Sequence, residues 1–123
     1  MRGEGMRKQR TNPNFMNGVP ELLVLRLLSE KKMYGYELVR EIKERSSNTL
    51  FFGEGCIYPI LHSLERQGYL KSERLDIDGR SRFYYSLTKR GKERFAALSD
   101  EWRHAQSGVS LILGRMNPGH ANA

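Results

Sequence analysis

The dipeptide Asp78-Gly79 stands between two runs of strand character, residues 69–75 and 82–87, and it removes an all-helical bundle from consideration. A tight hairpin turn needs positive φ at its centre, which Asp and Gly tolerate, so this pair is a strong local signal. In the second run Phe83, Tyr85 and Leu87 alternate with Arg82, Tyr84 and Ser86, which predicts one packed face and one face open to solvent or a ligand.

Three helices are expected ahead of the hairpin. Pro20 suits a first helical turn, and the Leu22, Leu23, Val24, Leu25, Leu27 and Leu28 that follow are apolar almost all round. Such a helix must be covered on more than one side, so Leu23 and Leu27 are assigned to contact with a second subunit. Beyond Gly35, residues 36–45 carry Leu38, Val39 and Ile42 on one face and charge on the other. Leu50, Phe51 and Phe52 form a packing plug. A third helix is predicted over 56–67, because the missing N–H of Pro59 is harmless only in a first turn, and Gly68 provides a stop. Its periodicity turns Ile57, Ile60, Leu61 and Leu64 inward and Gly55, Pro59, His62 and Arg66 outward, flanked by Tyr58 and Ser63. The fold class is therefore α+β and mainly helical. Three helices and a two-stranded wing over 15–87 give a winged helix-turn-helix, whose third helix can lead into a major groove about 12 Å wide.

Thr88 is the expected cap of a long helix running to residue 113. Phe95, Leu98, Trp102, Ala105, Val109, Ile112 and Met116 keep heptad spacing, a pattern that asks for a partner helix, so 88–113 is read as a dimerisation helix. Lys89, Arg90 and Lys92 oppose the dipole at its start and call for something anionic nearby. Residues 114–123 are expected to be a disordered tail, and 1–14 a flexible basic arm.

The charge of +7 over 123 residues is concentrated. Residues 1–14 hold four cations against one acid, residues 71–94 hold eight against four, and the rest balances. A basic arm and a basic hairpin suit a phosphate-facing surface, which points to double-stranded DNA as the partner. No segment approaches the roughly 20 apolar residues of a membrane span, the start does not read as a secretory signal, and the lone Cys56 rules out an internal disulfide framework. No membrane partner and a cytoplasmic address are expected. His62, His104 and His120 lack the spacing of a metal site or triad, and Gly53-Glu54-Gly55 is too short to cradle a phosphate, so neither an enzyme nor a cofactor is expected.

Gly35-Tyr36-Glu37-Leu38, Gly55-Cys56-Ile57-Tyr58-Pro59-Ile60-Leu61, Leu64-Glu65, Gly68-Tyr69-Leu70 and the run from Arg82 to Thr88 resemble, as an ordered set, the PadR family of bacterial transcriptional regulators. The resemblance spans residues 18–113, and the single C-terminal helix is similar to the compact subfamily. It implies a homodimeric repressor that binds an imperfect palindrome and is released by a small molecule, often phenolic or drug-like. The chain departs from the pattern at Cys56, where threonine is more usual, and at Gly18-Val19-Pro20-Glu21.

On this reading Tyr36 either donates its hydroxyl to a phosphate, as the matching family position implies, or packs beneath the recognition helix. Tyr58 is a phosphate candidate and His62 a base-edge candidate, with Gly55, Pro59, Ser63 and Arg66 on the same surface. Arg80 and Arg82 of the wing are assigned to phosphates or the minor groove, and Lys8 and Arg10 of the arm likewise. The resemblance also places a tryptophan at the dimer interface of drug-binding members, so Trp102, with Phe95 and Leu98, is either a seat for a small aromatic effector or a packing residue. Cys56 is either a thiol activated by the helix N-terminus or an inert buried residue. A winged-helix module for protein or RNA would need an apolar third-helix face, and this one carries His62, Ser63 and Arg66; the alternative that stays open is a dimeric small-molecule carrier that has lost DNA binding.

Overall fold

The structure, a computed structural model, describes residues 18–114. The arm with Lys8 and Arg10 and the tail beyond Gly114, including Met116, lie outside the described residues. Seven elements follow in order: α1 (Val19–Glu30), β1 (Met33–Tyr34), α2 (Gly35–Arg45), α3 (Glu54–Arg66), β2 (Leu70–Ile77), β3 (Arg80–Leu87) and α4 (Lys89–Leu113). The first three helices and the inner sheet face enclose one core, in which Val24, Leu25, Leu38, Phe52, Ile57 and Leu61 are almost wholly buried.

Each boundary has a local cause. Gly68, at φ 85°, lets the chain turn out of α3, with the Gly68 N–H donating to Glu65 O and the Tyr69 N–H to Leu64 O. Asp78 and Gly79 both have positive φ, 53° and 75°, and close a two-residue hairpin in which Ile77 faces Arg80. Thr88 caps α4 by accepting from the Gly91 N–H at 3.0 Å, and its hydroxyl donates to Gly68 O at 2.7 Å. Arg90 reaches Gln67 O at 2.7 Å and lies 4.9 Å from the Tyr69 ring centre. Together these bonds fasten the start of α4 to the end of α3.

The structure corrects five expectations. α3 begins at Glu54, so Pro59 stands within the helix and not in its first turn. The cost is one hydrogen bond, that to the carbonyl of Gly55, and Gly55 is exposed where solvent or a ligand can serve that oxygen instead. The wing strands reach two residues nearer the turn than the alternation indicated, and β1 adds a third strand in the order β1-β3-β2, with Tyr34 opposite Tyr84. The alternation fails near the turn: Phe83 is 56% exposed in the wall of an open cleft, whereas Tyr84 is buried with Tyr34 packed edge-on at 5.4 Å. Leu27 is 4% exposed and belongs to the core of its own protomer, so of the two α1 residues assigned to the subunit interface only Leu23 keeps free surface. The cation at the start of α4 is partly answered within the chain, by the carbonyl and ring that take Arg90.

Candidate nucleic-acid interface

The outward face of α3 carries Gly55, Pro59, His62 and Arg66, all exposed, with Tyr58 and Ser63 half-buried along its edge. Ser63 is occupied within the helix, its hydroxyl accepting from Gln67 Nε2 at 3.0 Å. Between α3 and the wing opens a cleft of about 470 Å³ walled by Tyr34, Tyr36, Tyr58, His62, Arg80 and Arg82. Tyr36 of α2, Tyr58 and His62 of α3 and Arg80 and Arg82 of the wing are thus brought together, whereas Gly55, Pro59, Ser63 and Arg66 lie outside this cleft.

Each wall is held differently. The ring of Tyr58 packs on Gly35 and stands 6.3 Å from the His62 ring. Burial, reinforced by the charge of Glu54 and by Tyr34, pushes the Tyr58 phenol above its ordinary pKa. Tyr85, deeper in the cleft, is pushed the same way by burial, with Glu65 and Tyr58 adding to it. Both phenols thus stay neutral hydrogen-bond donors. Tyr36 is 49% exposed, so its ring is not packed beneath the recognition helix and is open to a partner.

The two wing arginines differ. Arg82 lies 4.3 Å from the centre of the Tyr34 ring, a close cation–π contact on the outer sheet face, and is half-buried. Arg80, at the turn end of β3, is exposed, and its side chain has no ion pair or hydrogen bond among the described residues. Arg74, opposite Phe83, is engaged by Ser81 Oγ at 2.7 Å. Cys56 sits in the first turn of α3, and burial pushes its thiol up, against the pull of the helix N-terminus.

The other expected site is more dispersed. Phe95 and Leu98 pack against the protomer's own core, so the first half of the heptad seam is covered from within. Leu98, Trp102 and Ala105 then line a shallow groove with Val19 and Leu22 of α1, and Phe95 is not part of it. Trp102 is 42% exposed, Val109 55% and Ile112 88%. The far half of α4 is left bare. Among the described residues no group of side chains could hold a metal ion, and no helix is long and apolar enough to cross a membrane.

Tyr34 has a place here that sequence alone did not reveal, since its partners Arg82 and Tyr84 come from the far end of the chain. Arg40 and Lys43 of α2 border the same surface, and the helical spacing from Tyr36 was the signal that could have found them.

Comparison with known proteins bears on the family and the fold. The profile of the transcriptional regulator PadR-like family matches residues 24–97. Transcriptional regulator Rv3488 of Mycobacterium tuberculosis is 30% identical over 100 residues, covering 81% of this chain and 88% of that protein. A PadR family transcription regulator from hypervirulent Clostridium difficile superposes with a TM-score of 0.70 at 31% identity, over 79% of this chain and all of that one. A transcriptional regulator from Clostridium thermocellum gives a TM-score of 0.76 at 25% identity, over 82% and 99% of the two chains.

Proposed function

Since this chain belongs to the PadR-like family of DNA-binding transcriptional regulators, we propose that it acts as a homodimeric repressor that grips a palindromic operator and lets go when a small aromatic effector binds. One observation carries the DNA-contact part: the outer face of α3 and the wing cleft beside it hold Tyr36, His62, Arg66 and Arg80 exposed and free of ion pairs among the described residues. In this reading His62 faces base edges, while Arg80, Tyr36 and the neutral Tyr58 serve phosphates. Arg82 stiffens the wing through Tyr34.

The bare far half of α4, with Val109 and Ile112, supports the dimer, because an exposed heptad seam favours a second helix. Two third helices about 34 Å apart then enter successive major grooves, and occlusion of the promoter blocks transcription. The groove at Trp102, lying where α1 meets α4, supports the effector seat: a ligand there separates or tilts the protomers and shifts the population toward the unbound form.

The test is selection of sites from randomised duplex DNA, with affinity of the winning sequence followed against salt and the molar mass of the protein measured alongside. A two-fold consensus bound by a dimer, with log affinity falling steeply against log salt, is the expected result. Absence of enrichment, or weak binding indifferent to salt, would falsify the proposal and leave the Trp102 groove as the functional site.

A further inference from the structure

Glu44 of α2 pairs with no cation among the described residues, and the other charges of the helix fall into two groups when their partners are traced. Glu37 takes Lys31 at 3.5 Å, Glu41 faces Arg45 at 4.0 Å, and Arg45 is also held by Glu30 at 2.7 Å. Arg40 and Lys43, by contrast, pair with no carboxylate among the described residues. They lean on aromatic rings: the Arg40 guanidinium lies 5.8 Å from the centre of Tyr36, and the Lys43 ammonium 5.9 Å from that of Phe51.

Tyr36, Arg40 and Lys43 stand at positions i, i+4 and i+7, so all three share one face of α2. With Phe51 and Glu54 they line an open cleft of about 290 Å³ between α2 and α3. Glu54 is the one acid on its walls, against two cations. Tyr36 also lines the cleft on the wing side, so the two clefts meet at its ring. Cationic groups therefore border α3 both toward the wing and toward α2. A helix seated in a major groove has a phosphate backbone on either side of it, which is the arrangement these two clefts match.

We infer that the cleft between α2 and α3 seats a backbone phosphate of the DNA, with Arg40 and Lys43 supplying charge and Tyr36 a hydroxyl donor. One protomer thus holds both walls of the groove. This rests on the DNA-binding reading above, shares Tyr36 with it, and extends it to Arg40 and Lys43, which that reading leaves idle. Charge-assisted contacts of this kind position the protein and carry no sequence information, and each displaces condensed counterions.

The test uses the full chain with Arg40→Gln and Lys43→Gln, and with Arg40→Lys and Lys43→Arg as charge-keeping companions. Glutamine is a good helix former and the sites are at the surface, so the fold should persist. Affinity is measured against salt on the duplex selected by the wild type and on an unrelated duplex. Each glutamine variant is expected to lower the slope of log affinity against log salt by about 0.9, and to weaken both duplexes by the same factor. The charge-keeping variants should retain the wild-type slope. A slope unchanged in the glutamine variants, with the wild type still bound, overturns the phosphate seat and leaves the DNA reading standing. Failure of the wild type to bind any duplex overturns both.

Discussion

The ring of Tyr58 occupies the space that a methyl group on Gly35 would need. Gly35 opens α2 and Tyr58 lies on α3, so the two helices are keyed together by the absence of a side chain. Gly35→Ala gains up to about 1 kcal/mol of helix propensity. Against this stands displacement of a packed ring, for which overpacking typically costs about 1 to 3 kcal/mol. Net destabilisation is expected, and it should vanish in a Tyr58→Ala background. Denaturant midpoints of the four proteins in that cycle decide it.

Arg80 and Arg82 should separate by assay. Arg80→Ala is expected to lower the salt slope of DNA binding by about 0.9 with no change in melting temperature. Arg82→Ala should instead lower thermal stability, by about 0.5 to 1 kcal/mol for a cation–π contact that solvent still reaches. Equal effects of the two substitutions on both measurements would contradict this division.

The raised phenols of Tyr58 and Tyr85 predict an alkaline effect. A phenol whose pKa is higher in the folded state than in the unfolded chain contributes stability that is complete below about pH 10, the unfolded value. That contribution is lost as pH rises through the folded-state pKa, when the buried phenolate must form. Melting temperature should therefore fall above about pH 10 more steeply than in the Tyr58→Phe, Tyr85→Phe double variant. Ultraviolet titration of phenolate, native against denatured, checks the same shift.

Cys56 should be sluggish. Burial holds its thiol protonated, so reaction with a disulfide reagent near neutral pH is expected to be slower in the folded protein than in denaturant. Peroxide treatment should leave DNA affinity unaltered. Rapid labelling of the native protein would show that the helix N-terminus outweighs burial.

Ile112→Asp places a charge on the barest part of the α4 seam. Molar mass by light scattering should fall to that of one chain, and affinity for the selected operator should drop by at least a hundredfold, since the two half-sites then no longer bind as a unit. Affinity for a single half-site should be unchanged.

Much of this architecture was legible because its signals were local. Asp78-Gly79, Gly68 and Thr88 each act through their own backbone angles or hydroxyl, and each marks the boundary expected of it. Pro59 misled for an instructive reason. The rule against proline inside a helix weighs one lost hydrogen bond, and at an exposed face leading from Gly55 that loss is small enough to absorb. β1 escaped notice because two residues have no periodicity, and its existence depends on Tyr84 and Tyr85 fifty positions away. The phosphate-seat candidates were hidden by arithmetic. Counted along the chain, the three cations of α2 cancel against Glu37, Glu41 and Glu44, but in space Glu37 is turned to Lys31 and Glu41 to Arg45.

Thr88 and its neighbours bear on how such a protein can be controlled. With Thr88 bound to Gly68, Arg90 bound to Gln67 and Gly91 pressed on the Tyr69 carbonyl, α4 is a rod of 25 residues, about 37 Å long, welded at its base to the end of the recognition helix. In the proposed dimer a tilt imposed along the rod reaches α3 through these bonds, so the angle at which two such rods cross would set how far apart the two third helices stand.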